Sequence, residues 1–150
     1  MSQTYHNILM HVVFATKERR PFLTPAIQPR LYKYMVSAIQ NDFGYLLCIG
    51  GIEDHVHILF NMKPSVSVSD ALRNIKAYSS GWMHKTFPSM AEFSWQAGHG
   101  VFSVSESWKQ QVIDYINDQR KHHAKMDLRQ EMILLLEKNG IEYDEKYMWP

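Results

Sequence analysis

The sequence predicts an α+β fold: a ferredoxin-like or RRM-like antiparallel sheet with helices on one face, followed by a C-terminal helix and tail. Three observations predict it. Four β-branched or alternating apolar stretches read as strands. Two segments with apolar residues at helical spacing separate them. The order is β-α-β-β-α-β and then only helices, with no repeat or linker between.

The elements follow in turn. Tyr5 to Thr16 is apolar and β-branched and reads as the first strand, ended by the basic loop Lys17-Glu18-Arg19-Arg20-Pro21. Pro25 or Pro29 can open a helix whose stripe is Leu31, Tyr34, Met35, Ala38 and Ile39, closed at Gly44. Tyr45 to Ile52 reads as a second strand broken at Gly50-Gly51, with a turn at Glu53-Asp54. His55 to Met62 alternates and pairs as a hairpin with it. Ser67 or Ser69 caps a second helix, about Asp70 to Lys85, with Leu72, Ile75, Tyr78, Ser79 and Trp82 on one side. Phe93 to Val104 carries the fourth strand. A third helix is expected from Ser105 to about Lys125, striped by Trp108, Val112, Tyr115 and Ile116. Met126 to Gly140 reads as a short helix, and Ile141 to Pro150 as a tail whose three aromatics require a docking surface.

Composition excludes several classes. Hydrophobic residues make up 45% and charged residues 21%, which suits one soluble globular domain of 150 residues. No apolar run approaches the ~18 residues that a membrane helix needs. The N-terminus lacks a secretory pattern, and Cys48 is the only cysteine, so a reducing cytoplasm is the expected location. Net charge is +1, but residues 1–125 carry 13 Lys and Arg against 9 Asp and Glu, and residues 126–150 carry 3 against 6. A basic body with an acidic tail permits a phosphate-binding face; ordinary solvated charge explains it equally well.

Three groups of residues bear on chemistry. His55 and His57 are two apart on a strand, so both rings share a face and can chelate one divalent cation, while Val56 enters the core. A solvated sheet face is the plain alternative. Glu53 shares their parity but falls in the turn. Tyr115 and Gln119 are four apart on the expected third helix and share its face. An amide on an apolar stripe needs a partner, and its oxygen can bind a cation. His122, His123 and Lys125 follow. The third group is Lys17, Arg19 and Arg20 after the first strand with Arg73, Lys76, Ser79 and Ser80 on the second helix. Phe22, Trp82 and Trp95 lie nearby in sequence, and such rings stack on unpaired bases.

Together these residues resemble the HUH tyrosine transposases of small bacterial insertion sequences, relatives of the REP-associated tyrosine transposases. The His-apolar-His motif is here within Asp54-His55-Val56-His57-Ile58-Leu59, and the tyrosine motif is Tyr115-Ile116-Asn117-Asp118-Gln119 followed by His122-His123. Thr16 to Pro21, Ile75 to Ser80, and Trp95-Gln96 through Phe102 to Ser105 are also similar, so the resemblance spans residues 5 to 149. One departure is Gly98-His99-Gly100, where the family favours an aromatic, usually tyrosine, between the glycines.

The resemblance implies a single domain over residues 1–150, with 126–150 as acidic helix and docking tail. It implies a homodimer that recognises DNA hairpins near element ends and cuts and rejoins single-stranded DNA without ATP. The tyrosine helix of one subunit can serve the histidine pair of the other. Tyr115 is the expected nucleophile, leaving a 5′-phosphotyrosine and a free 3′-hydroxyl. His55, His57 and Gln119 are the expected ligands of Mg²⁺ or Mn²⁺. The expected DNA contacts are Lys17, Arg19, Arg20, Arg73, Lys76, Ser80, Arg120 and Lys121. No separate general base is evident; His99 and a metal-bound water are the candidates. The rival readings are a domesticated hairpin binder that does not cut, a metal-dependent hydrolase of a small molecule, and a structural dimer module.

Overall fold

The computed structural model describes residues 2–148. It contains the expected four-stranded antiparallel sheet, in the order β2-β3-β1-β4. The strands are β1 (Leu9–Ala15), β2 (Gly44–Ile52), β3 (His55–Met62) and β4 (Gly100–Val104). The long helices are α1 (Gln28–Asp42) and α2 (Val68–Thr86). Three shorter ones follow the sheet: α3 (Lys109–Asn117), α4 (Gln119–His122) and α5 (Leu128–Lys138). Pro29 stands in the first turn of α1, where its missing N–H costs nothing. Ser67 rather than Ser69 caps α2, its hydroxyl accepting from the Asp70 amide. Asp127 opens α5 in a reciprocal capping box with Gln130.

Strand alternation sorts the side chains. The even residues Val12, Phe14, Val56, Ile58 and Phe60 pack under α1 and α2, against Leu31, Met35, Ile39, Leu72, Ile75 and Met83. The odd residues face the other way. Leu9 and Leu59 meet Ile116 of α3, and Val13 and Ala15 meet Leu128 and Met132 of α5. The sheet is therefore covered on both faces, by α1 and α2 on one and by the C-terminal helices on the other.

Three expectations are corrected and a fourth, the docking of the tail, is narrowed. β1 begins at Leu9, and Tyr5 is 87% exposed. β2 is not broken at its glycines: Gly50 pairs with His57 and Gly51 with Val56, and the register shift lies between Leu46 and Cys48. Gly50 instead permits the close approach of α3, since a Cβ there would sit 2.6 Å from the Ile116 carbonyl oxygen. The third helix does not run unbroken to Lys125. Asp118 leaves the helical region (φ −99°, ψ 19°), dividing α3 from α4. The tail docks on its own chain: Met148 packs with Val13, Phe102 and Leu128, and Arg129 donates to the Glu145 carbonyl at 3.1 Å. Trp149, one of the three tail aromatics, lies outside the described residues. Among the described residues no helix is long and apolar enough to cross a membrane.

Two glycine substitutions separate packing from propensity. Gly50→Ala drives a methyl into the α3 backbone and is expected to cost about 1–3 kcal/mol. Gly81→Ala, inside α2 with nothing within 4 Å of the added carbon, is expected to gain about 0.5–1 kcal/mol. Urea denaturation of the two variants measures both signs.

A candidate metal and nucleophile centre

The odd face of the sheet is where His55 and His57 point, and both are fully buried. The solvated alternative for this pair is therefore excluded, because the C-terminal helices roof it. Each ring is held by its Nδ1. His55 Nδ1 lies 2.7 Å from Asp54 Oδ1. His57 Nδ1 lies 2.8 Å from Nε2 of His11, a buried β1 residue of the same parity. Both Nε2 atoms then turn inward to one carboxylate, Glu131 of α5, at 3.4 and 3.1 Å from its Oε1. His123 Nε2 approaches the same oxygen at 3.0 Å. Gln119 Oε1 stands 3.1 Å from His55 Nε2, while its amide nitrogen donates to the Tyr115 carbonyl. The second carboxylate oxygen of Glu131 accepts the Tyr115 hydroxyl.

This donor set fits a divalent cation. If His55 and His57 are neutral and give their Nδ1 protons to Asp54 and His11, both Nε2 atoms present bare lone pairs to carboxylate and amide oxygens. Acceptor then faces acceptor, an arrangement that a proton or a cation relieves. One ligand atom each from His55, His57 and Glu131 lies within 4.8 Å of the others. Orientation of a ligating imidazole by a partner on its far nitrogen is the usual supporting arrangement at metal sites.

The electrostatics show how a proton substitutes in part. Burial opposes charge on His55, yet its hydrogen bonds to Asp54 and Glu131 prevail and raise its pKa to about 9. Burial and then the Glu131 hydrogen bond act on His57, with a net downward shift. His11, desolvated and beside His57, falls to about 3. Burial alone would raise Glu131, but hydrogen bonds from His123, His55 and His57 hold it far below the carboxylate range. Burial, followed by the negative charge of Glu131, pushes the Tyr115 phenol well above its ordinary value. The Tyr115 ring meets His57 edge-on at 5.7 Å and lies over His122 at 4.7 Å.

The fold thus brings together Tyr115, His55, His57, Gln119 and His123. It adds Glu131, His11 and Asp54, which were not singled out from the sequence. Glu131 had a signal: it occupies the apolar stripe Leu128, Met132, Leu135, where an unpaired carboxylate has no place. Glu53 does not join; it pairs with Arg120 at 2.9 Å. His99 is exposed beside the loop whose Gln96 and Gly98 carbonyls Lys76 Nζ grips at 3.1 and 2.8 Å. Lys76 also stands over the Phe14 ring, and its burial lowers its pKa to about 8. Arg20 pairs with Glu92 and Arg73 with Asp70. Lys17 and Lys121 are exposed, Arg19 and Ser80 half-buried, and none of these contacts the histidine cluster.

Comparison with known proteins agrees with this geometry. The family model described as "Transposase IS200 like" matches residues 4–119. Among solved structures, a candidate transposase from Deinococcus radiodurans R1 is similar at 23% identity with a TM-score of 0.65, over 79% of this chain and 98% of that one. A REP-associated tyrosine transposase bound to a REP hairpin is similar at 15% identity with a TM-score of 0.61, over 84% of this chain and 76% of that one. No curated protein matches significantly.

Stability of the metal-free protein should report these environments. His55, raised to about 9 from an unfolded value near 6.5, adds stability that is complete below pH 6.5 and lost as pH rises through 9. His11, lowered to about 3, acts oppositely: stability falls below pH 6.5, where only the unfolded chain takes its proton. Urea midpoints in EDTA are expected to peak at roughly pH 6.5. His11→Phe should flatten the acid limb; an unchanged acid limb would remove the neutral buried His11 from the account.

Proposed function

The chain belongs to the IS200-like transposase family, and from that premise we propose that it cuts and rejoins single-stranded DNA through a tyrosine–phosphate intermediate. The observation that carries the reading is the convergence of the Tyr115 hydroxyl and the Nε2 atoms of His55 and His57 on the one carboxylate of Glu131. The substrate is single-stranded DNA carrying hairpins, in keeping with the hairpin held by the similar REP-associated protein. The working unit is a homodimer acting in the cytoplasm, with the whole chain as one transposase domain.

His55, His57 and Gln119, joined by Glu131, would hold the metal. Two imidazoles with carboxylate and amide oxygens suit Mn²⁺ or Mg²⁺. When bound, such an ion supplies Lewis-acid stabilisation of charge on the phosphate and on the departing oxygen. The protein's own groups do the rest. Tyr115 Oη, held by its hydrogen bond to Glu131 Oε2, attacks phosphorus and releases its proton to water. The O–P bond to tyrosine forms as the bond to the 3′-oxygen breaks, and that oxygen takes a proton from water and leaves as a hydroxyl. The ester conserves the bond, so a different 3′-hydroxyl reverses the steps and joins new strands. A phenol raised above its ordinary value is a poor nucleophile, and Glu131, itself held far below the carboxylate range, orients the hydroxyl rather than taking its proton. Asp54 and His11 fix the ring orientations of His55 and His57. Exposed Lys17, Arg20, Arg73, Arg120 and Lys121, with half-buried Arg19 and Ser80, are the proposed phosphate contacts on the body, and Lys76 shapes the adjacent loop.

The test is a denaturing gel for a covalent adduct with hairpin-bearing DNA from the flanks of the gene, in Mn²⁺ or in EDTA. Tyr115→Phe is expected to bind that DNA with unchanged affinity and form no adduct; undiminished cleavage would refute Tyr115 as nucleophile. His57→Ala is expected to lose cleavage and to weaken Mn²⁺ binding, read by calorimetry. Full activity in that variant would exclude His57 as an essential ligand.

A further inference from the structure

Beside the metal and nucleophile centre, between α3, α5 and β4, lies an open cavity of about 720 Å³. Its walls are mostly apolar: Phe102, Trp108, Val112, Leu134 and Leu135, with Tyr115 forming the inner end. Two of these walls break the normal burial rule. Trp108 is 52% exposed and Leu134 53% exposed, although both are large and apolar and stand at the same opening. An exposed apolar patch of this kind marks a binding surface. Lys138 places its ammonium 5.5 Å from the Trp108 ring centre, adding a cation at the rim. The rest of the lining is apolar at Val104 and Met126, polar and uncharged at Ser103, Ser105, Gln111 and Asn139, and imidazole at His11 and His122.

We infer that this cavity is a nucleobase pocket that takes an unpaired base next to the phosphate attacked by Tyr115, stacked on Trp108 and walled by Leu134. The inference rests on the strand-cutting reading above and deepens it by naming a subsite. Position decides the occupant. Whatever fills the cavity lies against the Tyr115 ring, and the strand whose phosphate meets the Tyr115 hydroxyl must put a neighbouring base within a nucleotide of that wall. Chemistry agrees. A base has an apolar π-face to match Trp108 and polar edges to match the serine, glutamine and asparagine rim. Its phosphate matches Lys138. The volume falls in the range of pockets that enclose a small ligand, room for a base with its sugar. A second copy of this chain offers no reason for a cation and four neutral polar groups around an aromatic slot.

The full-length protein is titrated with unpaired oligothymidylate and oligodeoxyadenylate while tryptophan emission is followed, and Trp108→Phe identifies the share due to Trp108. The expected result is a Trp108-dependent quench, with affinity retained in Trp108→Phe and lowered roughly tenfold or more in Trp108→Ala and in Leu134→Glu. Affinity for the isolated hairpin should be unchanged in all three. A quench identical in wild type and Trp108→Phe, or oligonucleotide affinity unchanged in both Trp108→Ala and Leu134→Glu, overturns the pocket. So does sedimentation without DNA in which self-association of the wild type is lost in both Trp108→Ala and Leu134→Glu. Covalent adduct is scored separately. Adduct without the Trp108-dependent quench refutes the pocket and leaves strand cutting standing. The quench without adduct supports the pocket and counts against strand cutting.

Discussion

One buried carboxylate organises the histidine-bearing face of this protein. Glu131 is 1% exposed and receives contacts from His55, His57, His123 and Tyr115, which come from a strand, the turn after a short helix, and a third helix. Bringing a carboxylate out of water costs several kcal/mol even after relaxation. Its helical neighbours Leu128 and Met132 contribute about 1.5–3 kcal/mol each when fully buried. That is comparable to the penalty, so apolar docking of α5 alone leaves little surplus. The hydrogen bonds from the three imidazoles and the phenol must supply it, and the placement of α5 is thereby tied to the state of the histidines.

The sheet makes that geometry possible through its period of two. β1 and β3 are the central strands, and both send every second residue to each face. One face spends its residues on a conventional core with α1 and α2. The other mixes apolar anchors, Leu9, Val13, Ala15 and Leu59, with His11, His55 and His57. Because Val13 pairs with His57, His11 falls one pair further along the same face, which is why its ring can reach the far nitrogen of His57. Shifting either strand by one residue would send the histidines into the aliphatic core and expose the aliphatics. The hydrophobic packing of one face thus enforces the position of the chemistry on the other.

The strands, both long helices and the histidine pair were legible because each rests on local periodicity. What was not legible depends on contacts distant in sequence. The Gly50-Gly51 pair reads as punctuation, yet the strand continues and the glycine answers to Ile116 of α3. The break at Asp118 leaves the apolar spacing on either side undisturbed, so a continuous helix was the natural reading of that stretch. Asp54 looked like turn material and is also the hydrogen-bond partner of His55. Two basic residues that read as free phosphate contacts are engaged by acids that only the fold brings near, Arg120 by Glu53 and Arg20 by Glu92.

Where the family likeness stops adds a further constraint. The family match ends at residue 119, so Tyr115, Gln119, His55 and His57 lie inside it, while His123 and Glu131 lie beyond. On the proposed reading this matters electrostatically. Two neutral imidazoles and an amide leave a divalent ion with its full charge, the best Lewis acid for a phosphate. Adding Glu131 cancels one unit of that charge, which strengthens ion binding and weakens its pull on the phosphate. The same carboxylate accepts the Tyr115 hydroxyl on its other oxygen, so the ion site and the phenol would share one anchor. On that reading one residue would both temper the ion and orient the phenol.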